Sequence, residues 1–386
     1  QRRLALLSLT IALALACQAL APLGDAPQAP APPSGSASRP GGAAPPGLTV
    51  ETLATGLEVP WALAWAPDGR LFLTERPGRV RLLVGGELRP EPVAVLPASR
   101  RTAEGGLLGL ALAPDFATRA ALYVYYTYDT AGGVRNRVSR LELAGDQAGA
   151  ETVLLDDIPG ARIHDGGVLA FGPDGKLYVG TGDATQRALA QDPTSLAGKI
   201  LRLNPDGTVP DDNPFPGSPV YSLGHRNPQG LAWQPGTGFL YATEHGPSGF
   251  PGCCRDELNR IIPGGNYGWP LVTGDETRPG LIPPILHSGP RDTWAPGGAA
   301  FVTRGPWAGS LVFTGLRSET LFRVRLDPDN PDRVLALERW LEGEFGRLRD
   351  VVEGPDGALY VLTSNRDGRG RPAAQDDRIL RIRVVE

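Results

Sequence analysis

Methionine does not occur anywhere in the chain, so translation is expected to begin upstream of Gln1. Positive charge is not in excess: 38 Lys and Arg stand against 42 Asp and Glu, a formal net charge of -4, which gives no broad basic field and excludes nucleic acid as the natural partner. The sole long apolar run, Leu4 to Ala16, is too short to span a bilayer comfortably. No G-x-S-x-G elbow is present for a serine hydrolase, and no G-x-G-x-x-G for nicotinamide binding. Cysteine is scarce, with three residues, and its spacing fits no zinc site. Cys253 and Cys254 are adjacent, which leaves open a disulfide between neighbours or two unpaired thiols.

Apolar residues make up 41% of the chain, ample for a core, and 51 Gly with 39 Pro imply many tight turns rather than long helices. The expectation is therefore an all-β fold. At the N-terminus, Gln1-Arg2-Arg3 followed by the run to Ala16 has the charged start and apolar centre of a secretory signal, assigned to residues 1–17. Cys17 after Ala14-Leu15-Ala16 loosely resembles a lipoprotein cleavage box, with Ala where Leu would stand. Lipid anchoring through Cys17 and plain secretion to a periplasmic or extracellular location both stay open. Residues 18–47, rich in Ala, Pro, Gly and Ser, bury too little surface to fold and read as a disordered tether, leaving 48–386 as the folded domain.

That domain returns repeatedly to one pattern, in which an apolar stretch meets a Pro-Asp-Gly-like turn and then an alternating strand. Copies surround Pro67-Asp68-Gly69, Pro114-Asp115, Pro173-Asp174-Gly175, Pro235-Gly236 and Pro355-Asp356-Gly357, with a degenerate sixth near Pro306-Trp307. Pro presets φ and Gly supplies a positive φ, so each motif joins an inner strand to the next strand of a small antiparallel sheet. Six such units predict a six-bladed β-propeller of four-stranded blades, since one blade cannot bury both faces alone. The spacing of roughly 47 to 72 residues exceeds the minimum for a blade, and the excess is expected as long loops gathered at one mouth of the channel.

Chemistry-bearing residues cluster in those loops. His164, in Ile163-His164-Asp165-Gly166-Gly167, is a candidate general base, because imidazole titrates near working pH; a hydrogen-bonded turn is the bland alternative. The turn Gly224-His225-Arg226-Asn227-Pro228-Gln229 concentrates donors suited to an acidic, carbonyl-rich ligand, or to capping its own backbone. Glu244-His245-Gly246-Pro247, Arg255-Asp256-Glu257-Leu258-Asn259 and Gly265-Asn266-Tyr267 supply hard oxygens of the kind Ca²⁺ takes, without EF-hand spacing. Arg347 and Arg349 alternate on a strand and so face one side, toward a polyanion or toward acids such as Glu342, Glu344 and Asp350.

Taken together, Glu104-Gly-Gly-Leu-Leu-Gly-Leu-Ala, Gly198-Lys-Ile-Leu-Arg-Leu-Asn-Pro-Asp-Gly, Gly224-His-Arg-Asn-Pro-Gln-Gly and Gly265-Asn-Tyr-Gly-Trp-Pro resemble, in order, the glucose/sorbosone dehydrogenase family of soluble quinoproteins. The resemblance runs from about Leu53 to Ile382. It implies a six-bladed propeller with pyrroloquinoline quinone and Ca²⁺ at the channel mouth, oxidising aldoses at C1 to lactones and passing electrons to an external quinone, cytochrome or dye. It also implies roles: His164 as base, Arg226 and Asn227 beside the quinone carbonyls, Arg347 and Arg349 facing the cofactor, and the carbonyls of Gly246 and Pro247 on Ca²⁺. A second, structural Ca²⁺ near Asp256, Glu257 and Tyr267 is implied as well. Three positions depart from the glucose dehydrogenases: Glu104 replaces Gln, Arg317 replaces a cofactor-facing Lys, and Ile163 replaces an Asp that could orient His164. The longer insertions of those enzymes are missing, which implies a monomer of broad aldose range. The competing expectations are a calcium-dependent lactonase or esterase using His164 to activate water, and a non-catalytic carbohydrate-binding propeller.

Overall fold

Each Pro-Asp-Gly motif closes a hairpin by the same local chemistry. The N–H of Gly69, Gly175 and Gly357 donates to the carbonyl three residues back, on Ala66, Gly172 and Gly354. The Asp between accepts, on its side chain, the N–H two residues on, at 3.1 Å for Asp68 and Asp174 and 3.2 Å for Asp356. All three glycines have φ between +71° and +87°, which costs glycine nothing and an L-residue of ordinary type about 1–2 kcal/mol. The degenerate copy is a short 3-10 turn, Gly305–Trp307, at the same place in its sheet.

The computed structural model describes residues 47–99, 102–247 and 253–385. The expected signal (1–17) and tether (18–47, Gly47 excepted) lie outside the described residues. Six antiparallel sheets follow along the chain. Blade 1 holds Pro60–Trp65, Leu71–Glu75, Arg79–Val84 and Glu87–Leu88. Blade 2 holds Leu107–Leu112, Ala121–Thr130, Gly133–Ala144 and Gln147–Pro159. Blade 3 holds Leu169–Phe171, Leu177–Thr181, Lys199–Leu203 and Val220–Leu223. Blade 4 holds Pro228–Trp233, Leu240–Glu244, Glu257–Ile261 and Leu286–His287. Blade 5 holds Pro296–Phe301, Leu311–Gly315, Thr320–Leu326 and Val334–Trp340. Blade 6 takes Leu348–Glu353, Leu359–Thr363 and Ile379–Val385 from the C-terminal end and its outermost strand, Gly47–Ala54, from the other end of the domain. Blade 1 departs from four strands, because Ala94–Val95 also pairs with Arg79–Val84.

Gly47–Ala54 pairs antiparallel with Ile379–Val385, so the ring is closed by backbone hydrogen bonds between the two ends. At its centre a cavity of about 240 Å³ is lined from all six innermost strands, by Trp61, Leu110, Leu169, Leu231, Ala299 and Val351 among others. Between blades, buried faces meet: Tyr123 packs edge-on against Phe171 at 4.9 Å, and its hydroxyl donates to the Pro205 carbonyl. Burying rings of this size contributes roughly 1.5–3 kcal/mol each. With the Pro-Asp-Gly turns at one mouth, the loops entering each inner strand and leaving each second strand collect at the other. Those loops carry Glu104, His164, Arg226, Gly246, Arg317 and Arg347.

Candidate active site

Glycine sets how closely these loops approach one another. A Cβ at Gly182 would run into the His164 carbonyl, and one at Gly166 would meet the Gly180 carbonyl. His164 itself sits at φ +64°, a left-handed value uncommon for a non-glycine residue. Its backbone N–H donates to Glu104 Oε2 at 2.9 Å, and its Nδ1 lies 2.8 Å from Asp183 Oδ1. Asp183 is held in turn by the indole N–H of Trp269 at 2.8 Å and the N–H of Thr185 at 2.8 Å. Burial opposes ionisation of Asp183, but His164, Trp269 and Thr185 outweigh it and hold its carboxyl below the usual range. A carboxylate can accept and not donate, so the His164 proton belongs on Nδ1 and the lone pair on Nε2. That Nε2 faces Arg226 Nη2 at 2.9 Å.

Arg226 is fixed from several sides. Its Nη1 donates to the His245 carbonyl at 3.1 Å, its backbone N–H donates to Glu244 Oε1, and its carbonyl accepts from Asp183 N–H. Below it lies a hydrogen-bonded chain from Ser222 through His225 to Glu244, each step 2.8 Å. Ser222 and His225 are fully buried, so this Ser-His-Glu chain meets no substrate and acts as a brace for Arg226. His245, whose Nε2 donates to the Pro296 carbonyl at 2.8 Å, is pushed down to about 4 by burial and is neutral at working pH.

These groups line one cavity of about 410 Å³, with Glu104, Ile163, His164, Arg226, His245, Gly246, Cys253, Asp256, Leu316, Arg317, Arg347 and Arg369 in its wall. Of its acids, Glu104 pairs with Arg369 at 2.7 Å, and burial is outweighed by the His164 N–H and the Arg369 charge, which hold its carboxyl below the usual range. Asp256 is saturated by the N–H groups of Gly246, Trp294 and Ala295 and the Thr293 hydroxyl. The cationic side chains therefore outnumber the acids; the acids are already partnered, and two of the arginines are paired as well, Arg369 with Glu104 and Arg347 with Asp367 at 2.8 Å. Such a cavity accommodates an acidic, carbonyl-bearing ligand.

Of the residues singled out from the sequence, the fold brings Glu104, His164, Arg226, Gly246, Asp256, Arg317 and Arg347 to this cavity. Pro247, next in the chain after Gly246, is not among the residues lining it. Asn227 is buried beside it, accepting the Gly166 N–H at 2.9 Å, with its Nδ2 unpaired among the described residues. Arg349 shares a side with Arg347 but lies deeper, in the floor between mouth and central channel, over the Trp61 ring at 4.8 Å and with Nε unpaired. Tyr267 stands behind the site, stacked on His225 at 4.7 Å. Glu257 lies opposite Glu244 in the strand register, and burial together with Glu244 pushes its carboxyl up to about 8. No cluster of three or more His, Cys, Asp or Glu able to hold a metal occurs among the described residues. Two facing carboxylates, and the unpaired Asn259 Oδ1 nearby on the same strand, are nevertheless hard-oxygen donors that a divalent cation would relieve.

Sequence reasoning missed Asp183, whose tie to His164 spans 19 residues; the one available signal was an acid among glycines just after a strand, in Gly180-Thr-Gly-Asp183. It also missed Arg369, in a glycine-flanked loop; of the two alternatives open for Cys253 and Cys254, the structure shows the disulfide.

The family model described as Glucose / Sorbosone dehydrogenase matches residues 57–380. Aldose sugar dehydrogenase YliI of Escherichia coli K12 is 33% identical over 353 residues, covering 84% of this chain and 92% of that protein. A PQQ-bound aldose sugar dehydrogenase from Streptomyces coelicolor is 41% identical with a TM-score of 0.78, covering 89% of this chain and all of that one. A putative oxidoreductase (glucose dehydrogenase) from Thermus thermophilus is 50% identical with a TM-score of 0.81, over 87% of this chain and all of its own.

Proposed function

Since the chain belongs to the glucose/sorbosone dehydrogenase family, we propose that this enzyme oxidises aldoses at C1 to the corresponding lactones, with pyrroloquinoline quinone and Ca²⁺ as resident cofactors. The observation that carries this reading is the His164 ring, which Asp183 fixes with its lone pair on Nε2 beside Arg226 in a cation-lined cavity. A tricarboxylate of planar, carbonyl-rich form suits that donor set, in which Arg226, Arg317 and Arg347 are the cations proposed to hold it. When bound, the quinone supplies the electron-pair sink and Ca²⁺ a fixed positive charge beside it.

Proton transfer falls to the chain's own residues. Once the substrate hydroxyl takes the place of the Arg226 N–H at His164 Nε2, that nitrogen accepts the proton of the anomeric hydroxyl, which leaves Nδ1–H on Asp183 and places the new positive charge next to a carboxylate. Arg226, held by Glu244 and the His245 carbonyl, presents a preset cation where negative charge develops, at no cost of reorganisation. Neutral His245 adds no competing charge. The carbonyls of Gly246 and Pro247, and separately Glu257 near Tyr267 and Asp256, are the proposed Ca²⁺ ligands. Export, an external electron acceptor and a monomeric state belong to the same proposal. No helix among the described residues is long and apolar enough to cross a membrane.

The test compares metal-free apoprotein, protein with Ca²⁺ alone, with quinone alone, and with both, by dye reduction across a panel of aldoses. Activity with both cofactors, and lactone detected before the acid, is the expected result. Absence of both activity and quinone uptake would turn the reading toward a lactonase or a sugar-binding propeller.

A further inference from the structure

Cys253 and Cys254 form a disulfide between sequence neighbours. A disulfide stabilises a fold chiefly by restricting the unfolded chain, and the effect grows with the loop it closes. This one closes no loop, so its effect is confined to the backbone of its own two residues. Cys253 is in the wall of the cavity together with His164, Arg226 and Gly246, and Cys254, next in the chain, is 2% exposed.

The next two residues of the chain, Arg255 and Asp256, are tied down through their backbone N–H groups. The N–H of Arg255, at φ +54°, donates to the Gly289 carbonyl at 2.9 Å, and that of Asp256 to Ser288 Oγ at 3.0 Å. The Asp256 carboxylate gathers the N–H groups of Gly246, Trp294 and Ala295. Gly246 has no slack against this segment, because a Cβ there would strike the carbonyl oxygens of both Cys254 and Arg255. The disulfide is thus the N-terminal stop of a segment packed directly on the backbone proposed to carry the cation, and no part of the proton-transfer chain uses it.

We infer that the Cys253–Cys254 disulfide is a positioning element for cofactor capture, holding residues 253–256 against Gly246 so that this end of the cavity is formed before quinone and cation arrive. The inference rests on the quinoprotein reading above. Without the bond, those residues would be ordered at the expense of binding.

The experiment uses the full chain and the double variant Cys253→Ser/Cys254→Ala. Thiol titration of unfolded wild type should find no more than one free thiol, that of Cys17 where it is retained; two or more would overturn the inference. Quinone affinity, titrated by absorbance at fixed Ca²⁺, should weaken about tenfold or more in the variant, the size expected when binding must also order a residue or two of backbone. The Tm of the cofactor-free protein should change little, since no loop is opened. Equal affinity in both proteins, or a fallen Tm with affinity retained, would overturn the role and leave a plain structural bond. Should the double variant not fold, Cys253→Ser alone breaks the same bond while leaving buried Cys254 intact, and is read by the same criteria. Wild type that takes up no quinone overturns the cofactor reading itself and this role with it; wild type that binds while the variant binds equally overturns this role alone.

Discussion

At the residue scale, two buried carboxyls close to His164 behave in opposite ways. Asp183 collects donors and stays ionised, whereas Asp165 is pushed up to about 7 by burial, with one oxygen accepting from Ala161 N–H and the other unpaired. A carboxyl with a raised folded pKa favours the folded state while protonated, and that contribution is lost as pH rises through the folded value. Asp165→Asn keeps the acceptor and cannot ionise. The variant should therefore gain stability relative to wild type between pH 4 and pH 8, by roughly 2–4 kcal/mol at the upper end, as denaturant titrations at the two pH values would read; parallel curves would refute it. Asp183→Asn replaces an acceptor-only carboxylate with an amide that can turn either its oxygen or its NH2 toward Nδ1, and so allows the wrong His164 tautomer. Turnover should fall about 10²- to 10⁴-fold, by analogy with loss of the triad carboxylate in serine proteases, while quinone affinity holds. Full turnover would mean that something else orients the ring.

Asp183 also explains what could not be read in advance. Ile163 replaces a residue expected to orient the imidazole, and the sequence offers no substitute because the partner is brought in by folding, from the loop after the second strand of the same blade. Strand periodicity puts Arg347 and Arg349 on one side, but the strand begins at Leu348 and its register shifts between Leu348 and Asp350, so periodicity does not settle how the two arginines relate; both line one small cavity, with Arg349 in the floor. The adjacent cysteines left two chemistries open; backbone placement decides between them.

At the scale of elements, the blade repeat was readable because a Pro-Asp-Gly turn is made by three neighbouring residues. The fifth strand of blade 1 was not, since it depends on pairing at a distance. The same contrast separates two glycines. At Gly69, φ is +87° and an added Cβ meets nothing within 4 Å; at Gly109, on the innermost strand of blade 2, it would collide with the Gly167 carbonyl of the neighbouring loop. Both Gly→Ala changes should cost about 1–3 kcal/mol and a few degrees of Tm. Asn, which tolerates left-handed backbone, should recover much of the loss at position 69 and deepen it at 109. Equal behaviour of Asn at both sites would contradict this assignment of causes.

For the whole molecule, the critical element is the strand Gly47–Ala54, which completes blade 6 against Ile379–Val385. Its removal would leave the latter as a bare edge, open to pairing with another chain. A chain lacking residues 47–54 should show a lowered Tm and concentration-dependent association by light scattering, even though no cavity residue is touched. An unaltered, monodisperse product would mean that the ring closes without it.

Because Gly47 and Val385 are direct partners in that closing pair, the polypeptide is topologically a band whose point of opening is arbitrary. Joining the two ends by a short linker and recutting the gene at the exposed Gly145-Asp146 turn between the outer strands of blade 2 would give a circular permutant with every sheet intact. Its new termini would emerge on the outer rim at a different blade, so the protein could be attached to an electrode or a carrier in a choice of orientations without altering the cavity.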